Sequence, residues 1–523
     1  MRITNKIMQK NNLANINTNK LYQDKLSNQM STQKKVNRPS DDPVVAIRAL
    51  RLRSSVTEVT QYYSKNIPDA ESWLSVTEDA LKNLSQIMTN MIGQCTKGAN
   101  GDLKTTDREI ILEQLKALGE EVYSTGDADY AGRYVFTGYR TDTSLSFSKE
   151  ETKSYSITEQ IDSSVIDTVT KVNTDKLLDL NSGNFNDAAS GMADINEEKI
   201  SSVEAYRIRL AYDDCTAGGN PSISFQQKKA DGSGYEWVTW PTVNADATVS
   251  DEIQLMHSYE NPYAAASADD DALIYVPETG ELLLGKNRYE TLMALKDDVS
   301  TVSNEAEIRV TYQKEHWTKG DLRPEHYFRC EADGVVYNEG YTTGNAERQD
   351  IEYDVGFNQT IRVNSTADEC FQHGIGRTVD DLVSSMQSVL DLEEVKENLE
   401  QLLKTASGTD AATLQTQLDA ANKALTLAKD KCQKLFEQGI TTFQGYLDDA
   451  NLCITNCGTR SSKLTLIKNR MQNQKTTFET LKSENEDVDI TEVAIQLSSA
   501  ELTYEAALMA TGKVMQTSLL NFI

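Results

Sequence analysis

Apolar residues recur at alternating intervals of three and four along two stretches of the chain, one near each end. In the first stretch the series is Ile67, Ala70, Leu74, Thr77, Leu81, Leu84, Met88, Met91 and Cys95. This spacing places the side chains on one narrow stripe of a helix, as in a coiled-coil seam. We therefore expect a long helix here that packs against another helix.

A shorter helix is predicted just before it. Its seam consists of Ala49, Leu52, Val56, Val59 and Tyr63. Asp42 is a suitable N-cap, and Pro43 fits the first turn, where its missing N–H costs nothing. Pro68 either begins a new helix or kinks a continuous one, so we expect a domain boundary near residues 60–68.

A third helix is expected to open at Thr106. Glu109 lies three residues further on, which is the pattern of a capping box. The apolar face of this helix is predicted to contain Ile111, Leu115, Leu118 and Val122.

From about residue 145 the apolar period changes from helical to two. Ile308, Val310 and Tyr312 alternate with other residues, and a second run alternates Tyr206, Ile208, Leu210 and Tyr212 with Arg207, Arg209 and Ala211. This is the pattern of half-buried strands with one polar face. Turns are predicted at Asp231-Gly232 and at residues 278–280, and a loop at residues 181–202. An antiparallel β-rich region is the natural interpretation.

Helical spacing returns at about residue 378, and no proline follows Pro324. One seam is Leu464, Ile467, Met471, Gln474, Phe478 and Leu481, and another is Val493, Leu497, Ala500, Tyr504, Ala507, Thr511 and Val514. A terminal amphipathic helix without a partner leaves its apolar stripe in water. We therefore expect the first and last helices to pair with each other or with other subunits.

Charge is distributed unevenly along the chain. The net charge is -28, and residues 141–376 carry 19 Lys and Arg against 43 Asp and Glu. So acidic a middle segment repels nucleic acid and anionic lipid, and the Lys and Arg excess of the first 65 residues is spread out, so we expect no nucleic-acid partner. No run approaches the roughly 20 apolar residues of a membrane span. The polar start lacks the apolar run of a cleavable secretory signal.

Residues that could carry chemistry are scattered. The seven cysteines are interpreted as free thiols; Cys453 and Cys457 share a helix face, as a metal or redox pair would, although buried packing is favoured. The four histidines are far apart and form no catalytic or metal motif. Asp269–Asp271 fits a solvated loop better than a cation site, and Trp237–Trp240 fits sheet packing better than a glycan platform. We predict no catalytic, cofactor or metal site, and no enzyme.

Three segments carry a resemblance to a known family. They are the start Met1-Arg2-Ile3-Thr4 with QMSTQKKVNRPSDDP (29–43), the block GRYVFTGY (132–139), and the C-terminal residues 487–523. They resemble the flagellin superfamily and, within it, the hook-associated protein 3 (FlgL) family of the hook–filament junction. The resemblance covers residues 1–145 and 377–523.

The resemblance and the periodicity together imply an α+β multidomain fold: a coiled-coil helical core from both termini, a helical bundle, and an outer antiparallel β-rich insertion. The expected domains are 1–65 and 483–523 for the core, 66–145 and 377–482 for the bundle, and 146–376 for the outer region. The large outer region departs from shorter family members.

The resemblance further implies a structural subunit joining hook to filament in the extracellular bacterial flagellum. It implies export through the flagellar type III apparatus, with termini disordered before assembly. The implied partners are like subunits in a ring, another hook-associated protein, flagellin and an export chaperone. Filament flagellin, or an accessory surface protein with a glycan-binding outer domain, are the alternatives. The predicted assembly residues are Pro39, Asp41, Asp42, Leu52, Val56, Val59, Val493, Leu497, Tyr504, Val514 and Leu519.

Overall fold

The computed structural model describes residues 5–219, 221–229, 235–243, 249–294, 308–343 and 349–516. The α+β fold with long helices at both ends and antiparallel sheets between them is confirmed. The helices are α1 (Asn5–Thr32), α2 (Pro43–Gln61), α3 (Ile67–Gly98), α4 (Thr105–Gly126), α5 (Pro262–Ala268), α6 (Lys286–Met293), α7 (Ala367–Cys370), α8 (Gly374–Thr405), α9 (Thr409–Glu486) and α10 (Ile490–Gln516).

Two larger sheets fill the middle of the chain. The strands are β1 (Asp129–Tyr130), β2 (Arg133–Tyr134), β3 (Glu151–Ile161), β4 (Asp167–Asn173), β5 (Ser201–Arg209), β6 (Ser222–Lys228), β7 (Tyr235–Trp240), β8 (Thr242–Val243), β9 (Val249–Ser250), β10 (Gln254–Leu255), β11 (Leu273–Val276), β12 (Glu281–Leu284), β13 (Ile308–Trp317), β14 (Arg329–Ala332), β15 (Val335–Tyr337), β16 (Glu352–Gly356) and β17 (Gln359–Arg362). One sheet has the order β15-β14-β3-β13-β6-β7 and the other β10-β11-β12-β5-β4. Pairing within both is antiparallel, apart from the parallel pair β10 and β11.

The chain divides into two compact units. The terminal unit comprises Met1–Glu71, Tyr353–Ile361 and Ser461–Ile523, and the central unit comprises Ser72–Glu352 and Arg362–Arg460. The central unit therefore contains both larger sheets, and the terminal unit contains both chain ends.

The predicted seam of α3 is confirmed along its whole length. Every one of its nine positions from Ile67 to Cys95 is buried. Pro68 does not break the helix, because a π-helical turn at Tyr62–Asn66 joins α2 to α3 without interruption. In that turn the N–H of Ile67 donates to the carbonyl of Tyr62, five residues back instead of four. This change in the hydrogen-bond pattern comes just before Pro68, which has no N–H to donate.

The capping box predicted at Thr106 is wrong. Helix α4 begins one residue earlier, its N-cap position is Lys104, and no side chain caps it. The Thr105 hydroxyl instead donates to the Glu393 carboxylate of α8 over 2.8 Å. A tertiary contact has replaced the local one, while Ile111, Leu115 and Val122 of the predicted apolar face are buried as expected.

The strand alternation is correct for β13 and wrong for β5. Ile308, Val310 and Tyr312 of β13 are buried, with half-buried residues between them. Around β5, however, Arg207 and Ala211 are buried rather than exposed. The reason for Arg207 is electrostatic: its guanidinium reaches three carboxylates, so the charge is paired where it is buried.

These three carboxylates and Arg207 form what we call the Arg207 cluster. The distances from guanidinium nitrogen to carboxylate oxygen are 2.7 Å to Asp167 of β4, 2.6 Å to Glu281 of β12 and 3.0 Å to Asp381 of α8. Nearby positive charge outweighs burial and lowers the pKa of Asp381 to about 2. The cluster joins three strands of one sheet to a helix within the central unit.

Two of the three predicted turns and loops between strands fall within the described residues. The turn at residues 278–280 links β11 to β12, and Gly280 adopts a positive φ of 60° there. A Cβ at this glycine would lie 1.9 Å from the Tyr212 carbonyl oxygen, so no other residue fits without movement. Residues 181–200 contain no strand, as predicted. The turn predicted at Asp231-Gly232 lies outside the described residues.

Candidate assembly surface

The two ends of the chain pack on each other in the terminal unit. Leu26 of α1 is buried together with Val493 and Ala500 of α10, and Val488 and Leu497 pack against this cluster. Pairing of the first and last helices, which the two terminal seams predict, is therefore confirmed within a single chain.

The connectors that follow α1 and precede α10 also pair through their backbones. Lys34 and Asp487 form an antiparallel bridge. The N–H of Lys35 donates to the Glu486 carbonyl over 2.8 Å, and the N–H of Val488 donates to the Gln33 carbonyl over 3.2 Å. The N-terminal and C-terminal segments are thus held in one register.

Charged side chains reinforce this bridge. Lys34 Nζ lies 2.5 Å from Asp487 Oδ1, and the Arg53 guanidinium binds both oxygens of Glu486 at 2.5 and 2.7 Å. The hydrogen bonds from Arg53 hold the pKa of Glu486 below its ordinary value, and those from Lys34 do the same for the pKa of Asp487. These four residues, which we call the connector clamp, were not singled out by sequence reasoning. Their pairing depends on residues more than 400 positions apart.

The polar turn before α2 adopts the predicted cap. Asp42 Oδ1 accepts from the backbone N–H groups of Val44 and Val45 at 3.0 and 3.1 Å, and Pro43 is the first helical residue. Asp41 Oδ2 accepts from the N–H of Arg38 at 3.1 Å. The capping function of Asp42 is confirmed, and an assembly role for this turn stays a prediction.

The predicted assembly residues have graded exposure. Val59 and Val493 are buried, Asp42, Leu52, Val56, Leu497 and Tyr504 are half-buried, and Pro39 and Asp41 are exposed. Leu519 and the side chain of Val514 lie outside the described part of the chain. The structure brings Val493 and Leu497 together against α1.

Helices α2 and α10 each carry a second apolar stripe that lies in solvent. On α10 it consists of Ile495, Leu502 and Met509, which are seven residues apart and 67–68% exposed. On α2 it consists of Val44, Ile47 and Leu50, which are three residues apart and 54–66% exposed. We call these the outward stripes. Sequence reasoning missed them, although their regular spacing was visible beside the inward seam.

We also searched the described residues for a metal site, a membrane-spanning helix and an aromatic glycan platform. No group of three or more His, Cys, Asp or Glu among them is placed to hold a metal ion. Across the described ranges, no helix has the length and apolar character needed to cross a membrane. Trp240 is buried, and the Arg309 guanidinium lies 3.9 Å from the ring centre of Trp237, which supports packing rather than an open aromatic platform.

The N-terminal part of the chain is similar to known proteins. Residues 3–141 match the bacterial flagellin N-terminal helical region. Flagellar hook-associated protein 3 of Escherichia coli is 30% identical over 169 residues, which are 31% of this chain and 53% of that protein. The same protein of Salmonella typhimurium is 29% identical over 143 residues, 27% of this chain and 45% of its own length.

The chain thus spans about half the length of the curated relatives that it matches. A flagellin of Clostridium tyrobutyricum is 27% identical over 122 residues, 23% of this chain and 32% of that one. Among solved structures, flagellar hook-associated protein 3 of Legionella pneumophila aligns with 9% identity over 83% of this chain and 97% of that chain, with a TM-score of 0.28. The sequence matches confirm the resemblance to the flagellin superfamily and to hook-associated protein 3.

Proposed function

Because residues 3–141 match the flagellin N-terminal helical region and the matched relatives include hook-associated protein 3, we propose that this chain is a structural subunit that joins the hook to the flagellin filament. Its role is mechanical, and no catalytic step is part of the proposal. The terminal unit supplies the contacts between subunits.

The observation that carries the proposal is the pair of outward stripes. A helix that already packs through one apolar seam, as α10 does against α1, has no internal use for a second seam. Full burial of an exposed Leu, Ile, Val or Met side chain contributes roughly 1.5–3 kcal/mol, and these side chains, which are 54–68% exposed, contribute a corresponding part of it when covered. Six such side chains on two helices are enough to favour docking onto neighbouring helices once subunits are aligned.

The partners follow from this role. Like subunits would contact one another sideways in a ring, another hook-associated protein would lie on the hook side, and flagellin on the filament side. Export through the flagellar type III apparatus would deliver the chain unfolded, with an export chaperone covering its apolar terminal segments until then. The extracellular flagellum is the proposed location.

Deletion of the gene in its flagellated host tests the proposal. We expect electron microscopy to show bare hooks, and blotting to detect unpolymerised flagellin in the medium. Filaments that still grow on the hooks would overturn the junction role. Complementation with the wild-type gene should restore filaments.

A pair of variants then tests the outward stripe of α10. Ile495→Ser, Leu502→Ser and Met509→Ser together should leave the deletion strain without filaments, because three exposed apolar side chains lose their partners. The matched control, Ile495→Leu, Leu502→Met and Met509→Leu, keeps the stripe apolar and should restore filaments. Equal complementation by both sets would show that this stripe is not an assembly contact.

The similarity to a clostridial flagellin favours one alternative, that the chain builds the filament itself. In that case purified filaments should consist of this chain. Its deletion should then leave no other flagellin in the medium. Mass spectrometry of sheared filaments separates the two functions, because a junction subunit would be a minor component.

A further inference from the structure

The fold brings two cysteines from distant parts of the chain close together in the central unit. Cys370 is the last residue of α7, and Cys453 lies within α9. The side chains of the two cysteines interact with each other, and each shifts the pKa of the other. Cys453 Sγ also lies 3.2 Å from the carbonyl oxygen of Glu369, the residue next to Cys370. Both side chains are buried, at 2% and 6% exposure.

Polar contacts hold the segment around Cys370 against α9 on both sides of the pair. The Arg460 guanidinium donates to the Asn364 carbonyl over 2.7 Å. The Gln372 amide donates to the Asp449 carboxylate over 2.9 Å. Because these contacts flank Cys370 and Cys453 in sequence, they hold the two segments that carry these cysteines against each other.

The pair differs chemically from the other cysteines. Interaction with the Cys370 side chain lowers the pKa of the Cys453 thiol below its ordinary value. Burial instead raises the pKa of Cys457, one helical turn further along α9, to about 11. The thiolate is the nucleophile in disulfide exchange, so Cys453 is the more reactive of the two neighbours.

A small reagent has a route to Cys453. The thiol lines a surface cavity of about 240 Å³, together with Ser365, Glu369 and Asn456. Cys370 does not line this cavity. An incoming reagent therefore meets Cys453 first, with Cys370 in place to respond.

We propose that Cys370 and Cys453 are an oxidisable dithiol, which a low-molecular-weight disulfide converts into an intrachain disulfide between α7 and α9. The Cys453 thiolate attacks one sulfur of the reagent RSSR, the S–S bond breaks, and RS⁻ leaves. The Cys370 thiol then loses its proton and attacks the Cys453 sulfur of the mixed disulfide, releasing a second RS⁻. Both leaving groups take up a proton, so two protein thiols are oxidised and one RSSR is reduced to two RSH.

This disulfide would add a covalent bond between the segment before α8 and α9 to the hydrogen bonds that already join them. The inference does not depend on the proposed function, since its chemistry requires only the folded central unit and an oxidant. Transfer of any protein from a reducing to an oxidising compartment would supply such an oxidant.

The test uses the purified full-length chain and 2-hydroxyethyl disulfide, a small uncharged RSSR. After treatment, free thiols are alkylated, the chain is digested with trypsin without reduction, and peptides are identified by mass spectrometry. We expect a cross-linked pair of peptides 363–377 and 435–460, which disappears on reduction. A mixed disulfide that persists on Cys453, or a thiol pair that stays reduced, would overturn the proposal.

Peptide 435–460 contains both Cys453 and Cys457, so a matched variant assigns the bond. Cys457→Ser should form the cross-link as fast as the wild type, whereas Cys453→Ser should abolish it. If Cys457→Ser lost the cross-link and Cys453→Ser kept it, the disulfide would involve Cys457, and the proposed pairing of Cys370 with Cys453 would be refuted. On the unaltered chain, limited iodoacetamide should modify Cys453 at least ten times faster than Cys457; equal rates would count against the proposal.

Discussion

In the terminal unit, α2 and α10 keep apolar side chains such as Leu50 and Leu502 in solvent, whereas the central unit buries charged side chains such as Arg207 and Glu281. These two features depart from the usual distribution of side chains in opposite directions. Exposed apolar stripes are costly only until a partner covers them. Buried charges must already be satisfied inside the chain, because water cannot reach them.

This difference indicates what each unit is built to do. The central unit satisfies its buried groups internally: the Arg207 cluster and the aromatic contacts of Trp317 with Phe147, Tyr155 and Tyr212 all lie within it. The terminal unit joins its ends through α1, α10 and the connector clamp and leaves the outward stripes uncovered. Substitutions of the buried charges in the central unit should therefore change folding, and substitutions on the outward stripes should change assembly.

The largest effect is expected from Arg207→Met in the central unit. This variant removes the charge that pairs with Asp167, Glu281 and Asp381 and leaves the buried carboxylate of Glu281 without a cation. Breaking a buried ion pair from one side typically costs about 3–5 kcal/mol. Urea unfolding followed by tryptophan fluorescence measures it, since all four tryptophans lie in this unit.

The matched control is Lys82→Met, which removes an exposed ion pair with Glu78 on α3. Its free energy of unfolding should change by less than about 0.5 kcal/mol. If Arg207→Met were equally mild, the central unit would not depend on its buried charges, and the contrast between the units would fail.

A second effect concerns pH and Glu159. This carboxyl is 3% exposed and accepts from the Ala211 N–H at 2.9 Å and from the Tyr312 hydroxyl. Burial raises its pKa from 4.5 to about 7. The folded state therefore binds this proton more tightly than the unfolded state. The stability that Glu159 contributes is full below pH 4.5 and is lost as the pH rises through about 7.

Glu159→Gln keeps a neutral acceptor and removes this titration. Relative to the wild type, it should gain stability between pH 5 and pH 8, on the order of 2–3 kcal/mol at the upper end. Comparing the two chains at each pH cancels the other titrating groups, including His326 and His373, whose pKa values burial lowers to about 4. A difference that stays constant with pH would mean that Glu159 is ionised throughout.

Sequence reasoning predicted what depends on neighbours along the chain. The nine-residue seam of α3 and the Asp42 cap follow from spacing and from local hydrogen bonding, and both are confirmed. It failed where partners come from afar. Thr105 bonds to Glu393 instead of forming a local box, and Arg207 is buried because three carboxylates from other elements reach it.

The candidate site divides in the same way. Val493 and Leu497 were predicted from their period and do pack against α1. The connector clamp could not be predicted, because Arg53 and Glu486 have no sequence pattern in common. The contact between Cys370 and Cys453 is also tertiary, whereas the outward stripes were visible in the sequence once two seams on one helix are considered.

A third, smaller effect is expected at the cap of α2 in the terminal unit. Asp42→Ala leaves the N–H groups of Val44 and Val45 without their acceptor and should destabilise α2 by about 1 kcal/mol. The terminal unit has no tryptophan, so hydrogen exchange of amides 44–61 is the suitable measurement. Asp42→Asn retains a capping oxygen and should exchange nearly as slowly as the wild type. Equal exchange in the alanine and asparagine variants would show that the cap is not limiting.

Substitution of the outward stripe of α2 should have the smallest effect on stability. The same substitution should abolish assembly. Val44→Ala, Ile47→Ala and Leu50→Ala together remove side chains that are mostly in water, so hydrogen exchange along α2 should shift by less than about 0.5 kcal/mol. Alanine also has the higher helix propensity, which offsets part of any loss. In the deletion strain, however, this variant should fail to restore filaments.

The matched control for that variant lies in the central unit. Asn83→Ala, Gln86→Ala and Asn90→Ala change three exposed polar residues of α3 and should leave both stability and filaments unaltered. If the α2 variant destabilised its helix as much as a core substitution, its stripe would be covered within the chain and the contrast between the units would be lost. Filament growth with the α2 variant would place subunit contacts elsewhere and leave α10 to carry them alone. Failure of filament growth with unchanged exchange would show that folding and assembly use different faces of the same helix.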